Sequence, residues 1–215
     1  MIVKAINPNG LPAATLEKSP STRSKILATA LHVFAEAGYE GASIRAIGEA
    51  AGVSFQTIPY HFSNKETLWE QAVMAAVAET GALIRAAATS LDVLTPADRL
   101  RVQIQTLVRL TAQRPDLTRA VFREAMKDSP RYHRIFEHTS LTLFTEIRRI
   151  LSEAQAAGVI KDDIDVEYLV FIIHGALFTR VLAPAESHRL TGQSMTDLEV
   201  IDKHADTIFR LLLQA

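Results

Sequence analysis

The sequence predicts an all-α protein: an N-terminal three-helix helix-turn-helix head, joined by one long helix to a larger helical body, with about nine helices in total. Three observations predict it. Apolar residues recur at helical spacing from Ser21 onward, and no stretch alternates convincingly. Gly38, Gly52 and Gly158 stand where helices would end, and Thr95-Pro96, Arg114-Pro115 and Ser129-Pro130 put proline where a helix can begin without losing a bonded amide. The chain of 215 residues is 48% hydrophobic, enough to bury a sizeable core.

Residues 1–20, with Pro8, Gly10, Pro12 and Pro20 among small residues, lack a period and read as a flexible arm. Ile26, Leu27, Ala30, Val33, Phe34 and Ala37 then form one apolar stripe that stops at Gly38, the first helix. The run from Ser43 to Glu66, SIRAIGEAAGVSFQTIPYHFSNKE, reads as a helix, a tight glycine turn, a short second helix and the capped start of a third. Gly48 leaves room where the two helices cross, Gly52 can take the positive φ that redirects the chain, and Val53 with Ile58 closes the small core beneath. Such a corner, polar on its outer side, fits a DNA major groove.

Ser63 followed by Glu66 reads as a capping box, so the connector helix is expected from Asn64 to about Ser90, with Gly81 its weak point. Roughly 26 residues at about 1.5 Å each give a rod near 40 Å. Body helices are expected at about 96–113, 115–127, 130–157, 165–183 and 195–214. The division is therefore an arm of residues 1–20, a DNA-binding domain of residues 21–70, and an effector-binding and dimerisation domain of residues 71–215.

Composition narrows the function. There is no cysteine, which removes disulfides and thiolate chemistry, and no basic, apolar, small-residue signal opens the chain, so a cytoplasmic protein is expected. Residues 166–183 form the longest apolar run, but Glu167 and Arg180 leave it short of the ~20 residues a membrane span needs. The formal net charge is −1, and residues 1–70 hold six Lys/Arg against six Asp/Glu, so DNA affinity has to come from local charge, backbone donors and helix dipoles. No metal site or cofactor is indicated: the histidines form no i, i+4 pair with an acidic partner, and His133 and His138 diverge around a helix. Neither a nucleophile elbow nor a phosphate-cradling or dinucleotide glycine loop is present, so no enzyme activity and no catalytic residue are expected.

Ser43, Ser54 and Ser63 are read as caps whose free amides favour phosphate, and Lys65 adds a full charge beside one of them. Near the start of the second motif helix Gln56 can pair with adenine edges, Thr57 with several bases, and Phe55 can touch a thymine methyl or serve as plain packing. Arg23 and Lys25 either touch phosphate or are solvated.

The head resembles the TetR family of bacterial transcriptional regulators over about 50 residues. The resemblance rests on Ile47-Gly48, Ala51-Gly52-Val53-Ser54, His61-Phe62 and Lys65-Glu66, with Phe34 and Gly38-Tyr39 matching the end of the family's first helix. It implies contacts to DNA from Ser43, Thr57, Tyr60, His61 and Lys65. Two departures stand out: Gly48 where alanine is typical, and Pro59 inside the recognition helix, which deletes the amide that would bond the Phe55 carbonyl and should bend or tighten the helix.

In the body, VEYLVFIIHGALFTRVLA is apolar on nearly every side, so one face meets its own core and the other is expected against a second subunit, with residues 139–157 and 165–183 of each chain forming a four-helix interface. The resemblance further implies an effector cavity, for which Arg109, Phe122, Met126, Phe136, His174 and Phe178 are the candidates, each also readable as ordinary core. The expected function is a ligand-responsive regulator, with repression the expected sign, binding a palindromic double-stranded DNA operator as a homodimer and released by a small-molecule effector. The alternatives are a degenerate helix-turn-helix acting through protein partners, and a helical small-molecule carrier or enzyme.

Overall fold

A computed structural model describes residues 21–88, 91 and 93–213. The arm of residues 1–20 and the expected connector end at Ser90 lie outside the described residues. The described chain is all helix: α1 Thr22–Gly41, α2 Ile44–Ala51, α3 Thr57–His61, α4 Lys65–Ala88, α5 Pro96–Gln113, α6 Pro115–Ala125, α7 Pro130–Ile135, α8 Thr142–Ala156, α9 Val166–Leu182, α10 Pro184–Thr191 and α11 Leu198–Leu212. Extended pairing among the described residues is limited to one isolated bridge, Ile160 with Leu213.

The class is as expected, but there are eleven α-helices where about nine were expected. The single helix expected over 130–157 is divided by a π-helical turn at Glu137–Leu141 into α7 and α8, and α10 is an extra helix begun by Pro184. Proline explains the second case, since it starts a helix as readily after a short break as after a loop. The π turn left no mark in the apolar spacing, because one inserted residue shifts the stripe by less than a third of a turn.

The chain forms two compact units. One holds the helices up to Gly81 together with Asp116–Thr139, and the other holds Ala82–Pro115 with the chain from Ser140 onward. In the first unit Ile26, Phe34, Ile47, Ile58, Leu68 and Trp69 share one buried core, and Val121 of α6 and Ile135 of α7 enter the same cluster. Arginines tie that returning segment to the head: Arg119 Nη1 donates to Glu36 at 2.9 Å, Arg134 to Glu66 and Glu70, and Arg131 to Glu40 at 3.3 Å. Arg131 also lies 3.7 Å from the centre of the Tyr39 ring and grips the buried carboxylate of Glu124 at 2.9 Å. Burial pushes the Tyr39 phenol above its ordinary value, opposed by the Arg131 charge.

In the second unit α5 packs against α8, α9 and α11. Its core is aliphatic, with Leu100 and Ile104 of α5, Ile147 and Leu151 of α8, Val170 and Leu177 of α9, and Ile201 and Ile208 of α11. Arg109 reaches Asp202 of α11 through two donors, Nε at 2.8 Å and Nη2 at 2.9 Å. His204 Nε2 lies 2.9 Å from the Ala176 carbonyl oxygen of α9. Burial pulls the His204 imidazole below its ordinary value, and Arg180 adds to that against the opposing Ala176 bond; burial does the same to His174.

Because both histidines are held neutral, the unfolded chain binds more protons below about pH 6.5. Their contribution to stability is therefore complete above that value and is lost as the pH falls toward their lowered folded values. Urea titrations at stepped pH should show stability dropping as the pH falls below about 6.5, and His204→Gln should flatten the drop; an unchanged slope in that variant would exclude His204 as its source.

Candidate nucleic-acid interface

α2 begins at Ser43, whose Oγ accepts from the Ala46 amide at 3.0 Å, and it ends at Gly52 with φ 64° and ψ 35°, a left-handed conformation that costs glycine nothing. Ile47 and Ala51 are fully buried beneath it. Gly48 sits close against the turn: a Cβ there would lie 3.1 Å from Phe55 Cα, 3.2 Å from Phe55 N and 3.2 Å from the Val53 carbonyl oxygen, all backbone atoms that would have to give by a few tenths of an ångström. Gly48→Val should therefore destabilise by about 1–3 kcal/mol and weaken DNA binding more than the stability loss alone explains, as thermal melts beside a binding titration would show.

Pro59 tightens α3 as the sequence implies. The Phe55 carbonyl, deprived of the proline amide, accepts from Ile58 N at 3.3 Å, and Thr57 N donates to the Ser54 carbonyl at 2.9 Å. The approach to the helix is thus a three-residue-spaced turn, within which Ser54 Oγ accepts from Gln56 N at 3.3 Å. Only Thr57–His61 is regular helix. Ile58 at its base is 1% exposed and Phe62 after it 2%, so the short helix is fixed from below.

Two caps are corrected. Ser54 does not cap α3, whose N-cap is Gln56 with no side-chain cap bond, and its Oγ serves only the turn before the helix. α4 is capped by Asn64, whose Oδ1 accepts from Thr67 N at 2.8 Å, while Ser63 Oγ pairs with Thr67 Oγ1 at 3.0 Å and Glu66 pairs with Arg134. The Ser63–Glu66 capping box does not form, because Asn64 offers an equally good acceptor one residue closer and Arg134 draws the Glu66 carboxylate away.

The structure places Ser43, Ser54, Gln56 and Tyr60 on the exposed surface, with Thr57 and His61 half-buried beside them. Phe55 is 54% exposed and Tyr60 86%, so the packing reading of Phe55 is set aside. Tyr60 meets the His61 ring edge-on at 5.1 Å between centroids. Lys65 is half-buried: its Nζ sits 4.5 Å over the Tyr39 ring and 3.5 Å from the Glu40 carbonyl oxygen. Arg23 donates to Gln71 at 2.5 Å and lies over Phe62. The sequence reading missed Arg45, whose guanidinium is mostly exposed on α2 and, among the described residues, pairs along its own helix with Glu49 at 3.1 Å. A cation two residues beyond the Ser43 cap was the available signal.

The effector candidates fall in both units. Phe122, Met126 and Phe136 belong to the first unit, and Arg109, His174 and Phe178 to the second. Met126 is 85% exposed, Phe136 packs edge-on against Tyr132, Arg109 is spent on Asp202, and His174 and Phe178 pack on each other at 4.7 Å. Two small cavities within the second unit lie along α5 and α8 and are lined by Arg99, Leu100, Gln103, Leu107 and Ile150. Apolar spacing selects buried faces without saying which faces leave a gap between them.

Residues 26–72 match the model of bacterial regulatory proteins of the tetR family, and residues 96–212 match a tetracyclin repressor-like C-terminal domain. The chain is 30% identical over 205 residues to the HTH-type transcriptional repressor AcnR of Corynebacterium glutamicum, spanning 92% of this chain and 98% of that one. Among solved structures it shares the fold of the ketosteroid transcriptional regulator KstR2 of Mycobacterium tuberculosis, at 18% identity and a TM-score of 0.73 over 92% of this chain and 98% of that chain. It also shares the fold of the Bacillus subtilis regulator FadR in complex with stearoyl-CoA, at 20% identity and a TM-score of 0.62 over 88% and 97% of the two chains. With both halves matched in order and a relative aligned nearly end to end, the chain belongs to the tetR family and is a DNA-binding transcriptional regulator built on a helix-turn-helix.

Proposed function

We propose that the protein is a cytoplasmic homodimeric repressor whose two α3 helices read successive major grooves of a roughly palindromic operator, and which a small molecule bound in the unit of residues 82–115 and 140–213 releases from DNA. The observation that carries this reading is the outer side of the α2–α3 corner, where Phe55, Gln56 and Tyr60 stand exposed over a base of buried Ile58 and Phe62. Gln56 and Thr57 read bases, Phe55 meets a thymine methyl, and Tyr60 and His61 flank them. Ser43, Ser54, Arg45 and Lys65 hold the backbone. The repressor name of the Corynebacterium glutamicum relative supports the sign of regulation.

The dimer rests on α9, whose inner face is buried while Tyr168, Phe171 and Ile172 are 72%, 65% and 62% exposed. Three large apolar side chains clustered on one face at i, i+3 and i+4 are a surface that a second copy covers, with α8 alongside. An effector that shifts the packing of the helices around α4 changes the spacing of the two heads, and a coupling of about 1–3 kcal/mol suffices.

Selection of bound sequences from random duplexes, followed by anisotropy titrations at several salt concentrations, tests the reading: one preferred palindrome and a steep salt slope are expected. Affinity independent of salt and sequence would favour action through protein partners. Lys65→Ala should weaken all sequences and reduce the salt slope by about one, whereas Gln56→Ala should cost about 1–3 kcal/mol at a single base position. Equal effects on every probe would refute that division.

A further inference from the structure

We propose that the cleft between α5 and α8 binds a small amphipathic monocarboxylate, with Arg99 and Gln103 on its head group. This rests on the reading that the second unit takes an effector, and it supplies that effector's chemical class. A cavity of about 120 Å³ lies between the first turns of α5 and the last turns of α8, bordered by Pro96, Arg99, Leu100, Gln103, Ile150 and Glu153. The Nε of Arg99 is buried and, among the described residues, has no hydrogen-bond partner. Four other arginines of the same unit are engaged: Arg109 by Asp202, Arg148 by Glu167, Arg149 by Glu146 and Glu153, and Arg180 by Ser187.

A guanidinium is charged at every relevant pH, and a buried donor without an acceptor is a cost to the fold. The buried Nε offers no surface to a ligand, so a carboxylate in the cleft would be met by the terminal amino groups of this half-buried side chain, whose natural complement is a planar pair of oxygens. Gln103 follows one turn later, on the same side of α5, and its amide can donate to the second oxygen. The cavity also lies against the N-terminal end of α5, where Pro96 opens the helix and its dipole favours negative charge. Glu153 borders the cleft, but its Oε1 accepts from Arg149 Nη1 at 2.6 Å, so its charge is countered. One guanidinium on a cleft whose bordering glutamate is already paired suits a single carboxylate.

The rest of the wall is apolar, and a second space of about 30 Å³ that shares Gln103 and Ile150 continues toward Ile84, Leu91 and Leu107. An apolar cavity of about 150 Å³ takes benzene, so the occupant is small, with a short hydrocarbon part behind one carboxylate.

Calorimetric titration of the full-length protein without DNA, using butyrate, hexanoate and benzoate with hexan-1-ol and sulfate as controls, tests the site. Saturable binding of at least one carboxylate is expected, with both controls weaker by about tenfold or more. Arg99→Met should weaken that binding roughly tenfold to a hundredfold, and Gln103→Leu less. Unliganded Arg99→Met should melt at or above the wild-type temperature, since it removes an unpartnered buried donor, a result that a structural role for Arg99 would not give. The proposal is overturned by the absence of saturable binding across the series, by sulfate binding as well as the carboxylates, by undiminished binding in Arg99→Met, or by a lowered melting temperature of that variant. Operator affinity is read separately. Carboxylate binding that leaves it unchanged keeps the site and defeats release by this effector, whereas intact operator recognition without carboxylate binding defeats the site alone.

Discussion

Arg131→Ala is expected to destabilise the protein by about 3–5 kcal/mol, the largest single-residue effect in the first unit. The Glu124 side chain is 1% exposed and that of Arg131 16%. Arg131 supplies both charge-assisted bonds to Glu124 Oε2, from Nε at 3.0 Å and Nη2 at 2.9 Å. Glu124 Oε1 is buried without a hydrogen bond, and Lys127 Nζ stands 4.0 Å from it. Removing the guanidinium leaves a buried carboxylate with one distant cation, and it also strips the Tyr39 ring of its stacked partner.

The expected loss is therefore that of an orphaned charge, and it differs from the net worth of the pair. Replacing both partners in Glu124→Leu/Arg131→Met should recover most of the stability, because the desolvation cost disappears with the attraction. Urea unfolding of the two single variants and the double variant forms the cycle that decides. A loss below about 1 kcal/mol in Arg131→Ala would show that solvent reaches Glu124. The double variant also reports on function: Arg131 and Lys65 sit over the same Tyr39 ring, so its DNA affinity shows whether that ring needs Arg131 to hold Lys65 in place.

Phe171→Glu should convert the dimer into monomers and lower operator affinity by about a hundredfold or more. Phe171 is 65% exposed in one chain and meets the Phe144 ring of α8 at 5.1 Å between centroids. In an isologous interface each substitution occurs twice, so two uncompensated carboxylates enter the same apolar contact. The monomer itself should fold normally, since an exposed glutamate on α9 disturbs no core residue. Sedimentation velocity and circular dichroism separate the outcomes. A Phe171→Glu protein that stays dimeric places the interface elsewhere, and one that loses its helix content shows the ring to be part of the fold.

How much could be read from the chain depended on whether the signal was local. Pro96 and Pro115 open α5 and α6 where expected, Gly52 takes the left-handed conformation assigned to it, and Gly48 sits against backbone where its missing side chain implied. Each of these follows from sterics within a few residues. The same locality explains the recognition corner: exposure of Gln56 and Tyr60 follows once Ile47, Ile58 and Phe62 are buried.

What failed was what depended on distant residues. The Ser63 cap gave way to Asn64 because Arg134 of α7 holds Glu66. Where a cavity lies was equally out of reach, because it is the space that several helices fail to fill, and no spacing along one helix encodes it. The association of Asp116–Thr139 with the head was equally invisible, since it is made by arginines meeting glutamates more than sixty positions away. By itself the sequence determined the helical class, the helix-turn-helix and the positions of its glycines and prolines, because backbone sterics and apolar periodicity act over one or two turns. Only the tertiary structure decided which charges pair, which cap forms and where a gap remains, because those outcomes are set by groups that folding alone brings within a few ångströms.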